Sequence, residues 1–285
     1  MTNNDSGFVG SIPDLYDRNV GPLMMVPYAS DIAARLSDMA TGRLLEVAAG
    51  TGIVTAALAL ALPRAQLIAT DLNQPMLDHA ATKPELRGVE FRQADALALP
   101  FDDQSFDAVV PWFLERTPCG YREIDIIRAD LAAGGFADCR IETVTLRGCA
   151  ESPMSPAIGF CQGSPMRAEL EALDPTGLEA ATAAAAAAIA EQFGQGAFET
   201  ELCALVIETR RYRDKAGAWP NGCFRATARR PGVTGMGAEQ TPTIGPRCPL
   251  PPGSASFGGG AVDCRYAVDS CLPPAQSGRM CLLHR

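Results

Sequence analysis

The sequence is poor in the residues that build metal sites. It has only two histidines, His79 and His284, and its ten cysteines include no C-x-x-C pair, so no zinc site is expected. Cys119, Cys139, Cys149, Cys161 and Cys203 fall in otherwise globular sequence and read as small buried thiols. No apolar run approaches the roughly 20 residues of a membrane span. The opening MTNNDSGFVGSIPD lacks the basic and apolar stretches of a secretory signal, so a cytoplasmic location is the default expectation. Excess positive charge is missing too. A net charge of −9 and a pI near 4.8 argue against holding nucleic acid or an anionic membrane by bulk attraction. A small-molecule partner fits better. What the chain does have is length, 285 residues, and a 47% hydrophobic content, enough for a single α/β domain with a real core.

Elements alternate along the first half. A helix-like DIAARLSDM leads to an apolar strand, GRLLEVAA, then a glycine turn and a second helix, GIVTAALALAL. QLIATDLN reads as a strand ending in an acid, and QPMLDHAATKP as a helix with Pro75 in its first turn, where proline is tolerated. VEFRQADA and FDAVV supply two more strands. Such alternation over 42–110 implies a parallel sheet covered by helices. Beyond it, IDIIRADLAA has helical spacing and stops at Gly134 and Gly135, ADCRIETVTLRG reads as a strand, 168–193 as one alanine-rich helix, and ELCALVIETRR as a final buried strand. From Arg213 onward glycine and proline are frequent and basic residues outnumber acidic ones nine to four. With few aliphatic clusters this tail, 212–285, is expected to be disordered.

In LLEVAAGTGIVT, Gly50 and Gly52 stand between a strand and a helix, where missing Cβ atoms let a ligand approach the backbone. A dinucleotide site must be weighed, because its fingerprint shares this turn. That fingerprint needs a third small residue for close helix packing, and Thr55 occupies the place. Glu46 would repel a pyrophosphate but attract an ammonium or sulfonium. Asp71, ending the second strand, is suited to accept ribose hydroxyls, and Asp95, after the third, to accept from an adenine amine. Three acids at three successive strand ends converge on one crevice. The plainer alternative is three solvated turn acids.

The strings EVAAGTG at 46–52, ATDLN at 69–73 and QADALALPFDDQSFDAVV at 93–110 resemble class I S-adenosylmethionine-dependent methyltransferases, in particular those of ubiquinone and menaquinone biosynthesis. Weaker similarity runs from SIPDLYDRNVGPLMMVPYA to about residue 211. The resemblance implies a Rossmann-like, doubly wound, mostly parallel sheet with helices on both faces over 41–211, preceded by a helical lid in 1–40. It implies S-adenosyl-L-methionine as cofactor, with Glu46, Gly50 and Gly52 around the methionine part, Asp71 and Leu72 at the ribose, and Asp95 and Ala96 at the adenine. Ala48, Thr51 and Met76 join this cofactor-binding set. Tyr16 and Tyr28 resemble lid residues, with core packing as the alternative. The methyl acceptor is expected to be a small molecule.

One part of the family pattern is missing. An amphipathic helix, a proline-glycine turn and a fifth strand should follow FDAVV, and none lies between Val110 and Pro111. The sheet is therefore expected to be short of one central strand, with ELCALVIETRR moving inward beside FDAVV to leave six strands. Cofactor binding without turnover is then the rival to methyl transfer, and a nicotinamide-dependent oxidoreductase a more distant one. No catalytic residue stands out. His79 is expected to be an exposed surface residue, and Cys161, Gln162 and Ser164 lie in a Pro- and Gly-containing lid segment where loop packing competes with substrate contact.

Overall fold

Leu44 and Leu45 are adjacent, point to opposite faces of one strand, and are both buried, which requires a sheet covered on both sides. In the computed structural model, which describes residues 7–39, 41–102, 105–113, 123–134, 136, 138–211 and 262–271, that strand is β1 (Gly42–Val47). It joins β2 (Ala65–Asp71), β3 (Glu90–Gln93), β4 (Ala108–Phe113), β5 (Cys139–Ala150), β6 (Phe198–Arg211) and β7 (Val262–Cys271) in one sheet of seven strands, ordered β3-β2-β1-β4-β7-β6-β5. The pairings from β3 through β7 are parallel, while β6 runs antiparallel to both of its neighbours.

On one face, Ile32 and Leu36 from α2 (Val26–Arg35) and its C-terminal turn, with Val54 and Leu58 from α3 (Ile53–Ala61), pack on Leu44, Leu67, Ala108 and Val110. Leu77 of α4 (Gln74–Ala81) continues this layer over Ala49 and Ala69. On the opposite face Leu45, Val47 and Ile68 lie under Phe106, with Leu99 and Phe101 beside it. Farther along the sheet, Ile127 and Leu131 of α5 (Ile124–Ala133) join Phe136 and Ile207 in one cluster, with Val109 against it. Arg35 ties α2 to the far strands, donating to Glu142 at 3.0 Å and Glu208 at 2.9 Å. The sheet is mostly parallel and covered on both faces, the Rossmann-like architecture expected.

Three expectations are corrected. The central position beside β4 is filled, and not by β6: β7, from within the tail, lies between them, parallel to β4 and antiparallel to β6. The physical reason is the open ladder on both neighbours, whose N–H and C=O groups need partners. The sequence VDCRYAVDSC can supply them, with Val262, Cys264, Tyr266 and Val268 at alternate positions as in a strand. Within the tail, Val262–Cys271 form this strand, and its other residues lie outside the described ones. Second, β4 runs on through Pro111 to Phe113, and its register with β7 skips Val110 and Pro111, because proline has no N–H to give a ladder. Third, 168–193 is not one helix. It divides into α7 (Met166–Leu173) and α8 (Leu178–Phe193). Asp174 precedes Pro175, which disfavours helical backbone at Asp174, and its carboxylate accepts from the Thr176 N–H at 2.9 Å.

Candidate functional site

The carboxyl ends of β1, β2 and β3 open onto the turn 48–52, where the chain reverses from strand to helix. Ala48, Gly50 and Gly52 all take left-handed backbone, with φ of 61°, 57° and 80°. At Gly52 the requirement is double, since an added Cβ would stand 2.7 Å from Leu86 Cδ1. At Gly50 it would meet only Met76 Cε, at 3.5 Å, which leaves the turn approachable from the crevice side.

Three amides of this turn are engaged within the fold. Ala49 N–H donates to Thr70 O at 2.9 Å, Gly52 N–H to Ala49 O at 3.0 Å, and Gly50 N–H to Asp71 Oδ2 at 2.8 Å. Asp71 Oδ1 accepts from Asn73 N–H at 2.8 Å. The Asn73 side-chain amide also reaches Oδ1, at 3.4 Å, while Oδ2 has one backbone partner and a second acceptor site in hand. Asp95, half-buried after β3, accepts from Leu97 N–H at 2.9 Å in an Asx-type turn.

Glu46 lies one register step from the end of β1, 1% exposed, with neither carboxylate oxygen hydrogen-bonded. Burial pushes its pKa up from 4.5 to about 8; Thr55 alongside pulls it down and the Asp71 charge adds to the rise. Thr55 Oγ1 approaches without meeting hydrogen-bond geometry, and Thr51 Oγ1 is likewise buried and unpartnered. Buried polar atoms without partners are costly and rare, so three such side chains at one strand-helix turn mark a place built for a ligand.

The structure brings together Glu46, Ala48, Gly50, Thr51, Gly52, Asp71, Leu72 and Met76 at the ends of β1 and β2, with Asp95 and Ala96 following β3. It separates the two tyrosines. Tyr28, 1% exposed, packs with Leu202 and Ala204, and its hydroxyl donates to Val144 O at 3.3 Å, so it is core rather than lid. Tyr16, on α1 (Ile12–Asn19), is half-buried, and its phenol pKa is raised by burial and by the charges of Asp71 and Asp17. His79 corrects another expectation. It is half-buried, with Nε2 3.6 Å from Asp17, which also pairs with Lys83 at 2.7 Å, because α1 lies across α4. Sequence reasoning missed Asp17, since nothing in DLYDRN marks which acid faces α4. Gln162 donates to Thr182 at 3.0 Å and the Ser164 hydroxyl to Phe160 O, which is local packing around α6 (Met154–Cys161); Cys161 is buried there. Among the described residues, no helix is long and apolar enough to cross a membrane.

A family model described as a methyltransferase domain matches residues 44–135, the span holding all three acids. The match covers about a third of the chain. The chain is 41% identical over 102 residues to a demethylmenaquinone methyltransferase of Thermus thermophilus, covering 34% of this chain and 46% of that protein. It is 34% identical over 85 residues to a ubiquinone/menaquinone biosynthesis C-methyltransferase of Desulfotalea psychrophila, covering 30% of this chain and 35% of that one. The chain thus spans less than half the length of these curated relatives. Among solved structures, the YcgJ protein of Bacillus subtilis aligns at 16% identity over 63% of this chain and 96% of its own, with a TM-score of 0.40. The fold assignment rests on the strand order itself.

Proposed function

We propose that the chain binds S-adenosylmethionine at the ends of β1 to β3 and transfers its methyl group to a small-molecule acceptor. The observation that carries this reading is the sign of the site: the Ala49, Gly50 and Gly52 amides are engaged within the fold, and the side chains at the three strand ends are carboxylates. Such a site favours a cation over a pyrophosphate, which also counts against a nicotinamide dinucleotide. Glu46, with Thr51 and Thr55, would hold the methionine end, Asp71 the ribose hydroxyls, and Asp95 the adenine amine. When bound, the cofactor supplies an electrophilic methyl on a sulfonium. The protein then needs to align a nucleophile with the carbon-sulfur bond and exclude water. Relatives named for demethylmenaquinone support a quinone-type ring as the acceptor.

Binding without turnover is the second reading. It is favoured by the short path from β4 to α5, which leaves out the helix and strand that the family resemblance implies. Calorimetric titration with S-adenosylmethionine, followed by a methyl-transfer assay on demethylated naphthoquinols, separates the two. Binding with transfer supports the enzyme, binding without transfer on any acceptor supports the remnant, and tight NADH binding in place of either would overturn both.

A further inference from the structure

We propose that Glu46 is a neutral acid in the empty site and becomes a carboxylate when S-adenosylmethionine binds, so that cofactor binding releases a proton from this one side chain. The inference rests on the cofactor reading above and adds a property that reading does not contain.

In register, Glu46 has Ala69 of β2 on one side and Val110 of β4 on the other, neither of which can ionise. From α3 it meets Thr55, a hydroxyl without charge. The charged group acting on it is Asp71 at the end of β2, of the same sign. From α1, the Tyr16 phenol faces Asp71 and Asp17. Behind it Asp17 pairs with Lys83 at 2.7 Å, with His79 Nε2 3.6 Å away, so the Lys83 charge is engaged elsewhere. A carboxylate placed here would be dry, unpartnered and beside another carboxylate, and such a group neutralises itself by keeping its proton. The raised pKa of about 8 agrees with that geometry.

A ligand carrying an ammonium and a sulfonium reverses the balance. It brings the opposite charge that favours ionised Glu46, and the carboxyl proton passes to solvent. Because only the ionised form binds well, apparent affinity should rise close to tenfold from pH 6 to pH 7 and level off above about pH 8. A nucleoside without those cations, such as 5′-methylthioadenosine, engages the Asp71 and Asp95 end only and should release nothing.

Proton release is counted by titration calorimetry at pH 6.5 in two buffers of different ionisation heat. The wild-type chain with S-adenosylmethionine should release about one proton and 5′-methylthioadenosine none, while Glu46→Gln should bind S-adenosylmethionine more weakly than the wild type does above pH 8, without release and without the pH dependence. S-adenosylmethionine binding with no proton released overturns the inference and leaves the cofactor reading standing, as does undiminished release from Glu46→Gln. Failure of both nucleosides to bind removes the cofactor reading and the inference together. Should the variant not fold, the wild-type count in the two buffers still decides.

Discussion

The two halves of the sheet are built in different ways. β1, β2 and β3 follow one another within about fifty residues, linked by α3 and α4, and each strand end delivers one acid to the crevice. β4, β7, β6 and β5 come from segments scattered between residues 108 and 271, and after β4 their spatial order reverses their order in the chain. Local connections place the chemistry; distant ones close the sheet. A site made from short βαβ links can keep its geometry while the other half is assembled from whatever strand satisfies the ladder.

Ending the chain after Arg211 breaks this comparison hardest. It removes β7 and exposes facing ladders on β4 and β6, with each dry orphan group worth about 1–3 kcal/mol, so a loss on the order of 5 kcal/mol or more is expected. Urea unfolding measures it, and an unchanged midpoint would mean that β7 does not join the halves. Next in size is a pH effect within the cofactor half. Glu46 has a higher pKa folded than unfolded, so the folded state holds the extra proton. The stability of the empty protein should therefore fall as pH rises from about 4.5 to 8. Glu46→Gln should remove that slope and stabilise the protein by on the order of 3 kcal/mol at pH 7. A slope shared equally by wild type and variant would place the proton elsewhere.

Asp71→Ala should weaken S-adenosylmethionine binding by roughly tenfold to a hundredfold, the loss of charge-assisted bonds worth about 1.5–3 kcal/mol. It also frees the Gly50 amide, so a loosened 48–52 turn should accompany the change, visible as faster amide exchange there. Unchanged affinity would dissociate Asp71 from the ribose. The smallest effect is expected at the seam between α1 and α4. Lys83→Ala removes a partly buried pair with Asp17 and should lower stability by about 1 kcal/mol or less, more at low salt than at high. A larger loss would make α1 an integral part of the cofactor half.

The same division explains how much of the molecule was legible in its sequence. Glu46, Gly50, Gly52, Asp71 and Asp95 were readable because each sits at a strand end marked by a local change from apolar run to turn. Their burial was not, and it is burial that gives Glu46 its chemistry. Tyr28 was left between lid and core, and His79 was misplaced, for one reason: the partners that decide their roles, Val144 and Asp17, are distant in sequence. The break at Asp174-Pro175 was legible in principle, since proline acts on its own neighbour. β7 carried a period-two pattern, but ten residues within a stretch rich in glycine and proline gave no local reason to count it as a strand. Its reason is the open ladder, which exists only in three dimensions.

β7 has one more consequence. Arg211 and Val262 are register partners, so the intervening fifty or so residues begin and end on a single rung. Between β6 and β7 the chain therefore leaves the sheet and returns to it at one point, and the pairing of the two strands fixes both ends of 212–261 side by side.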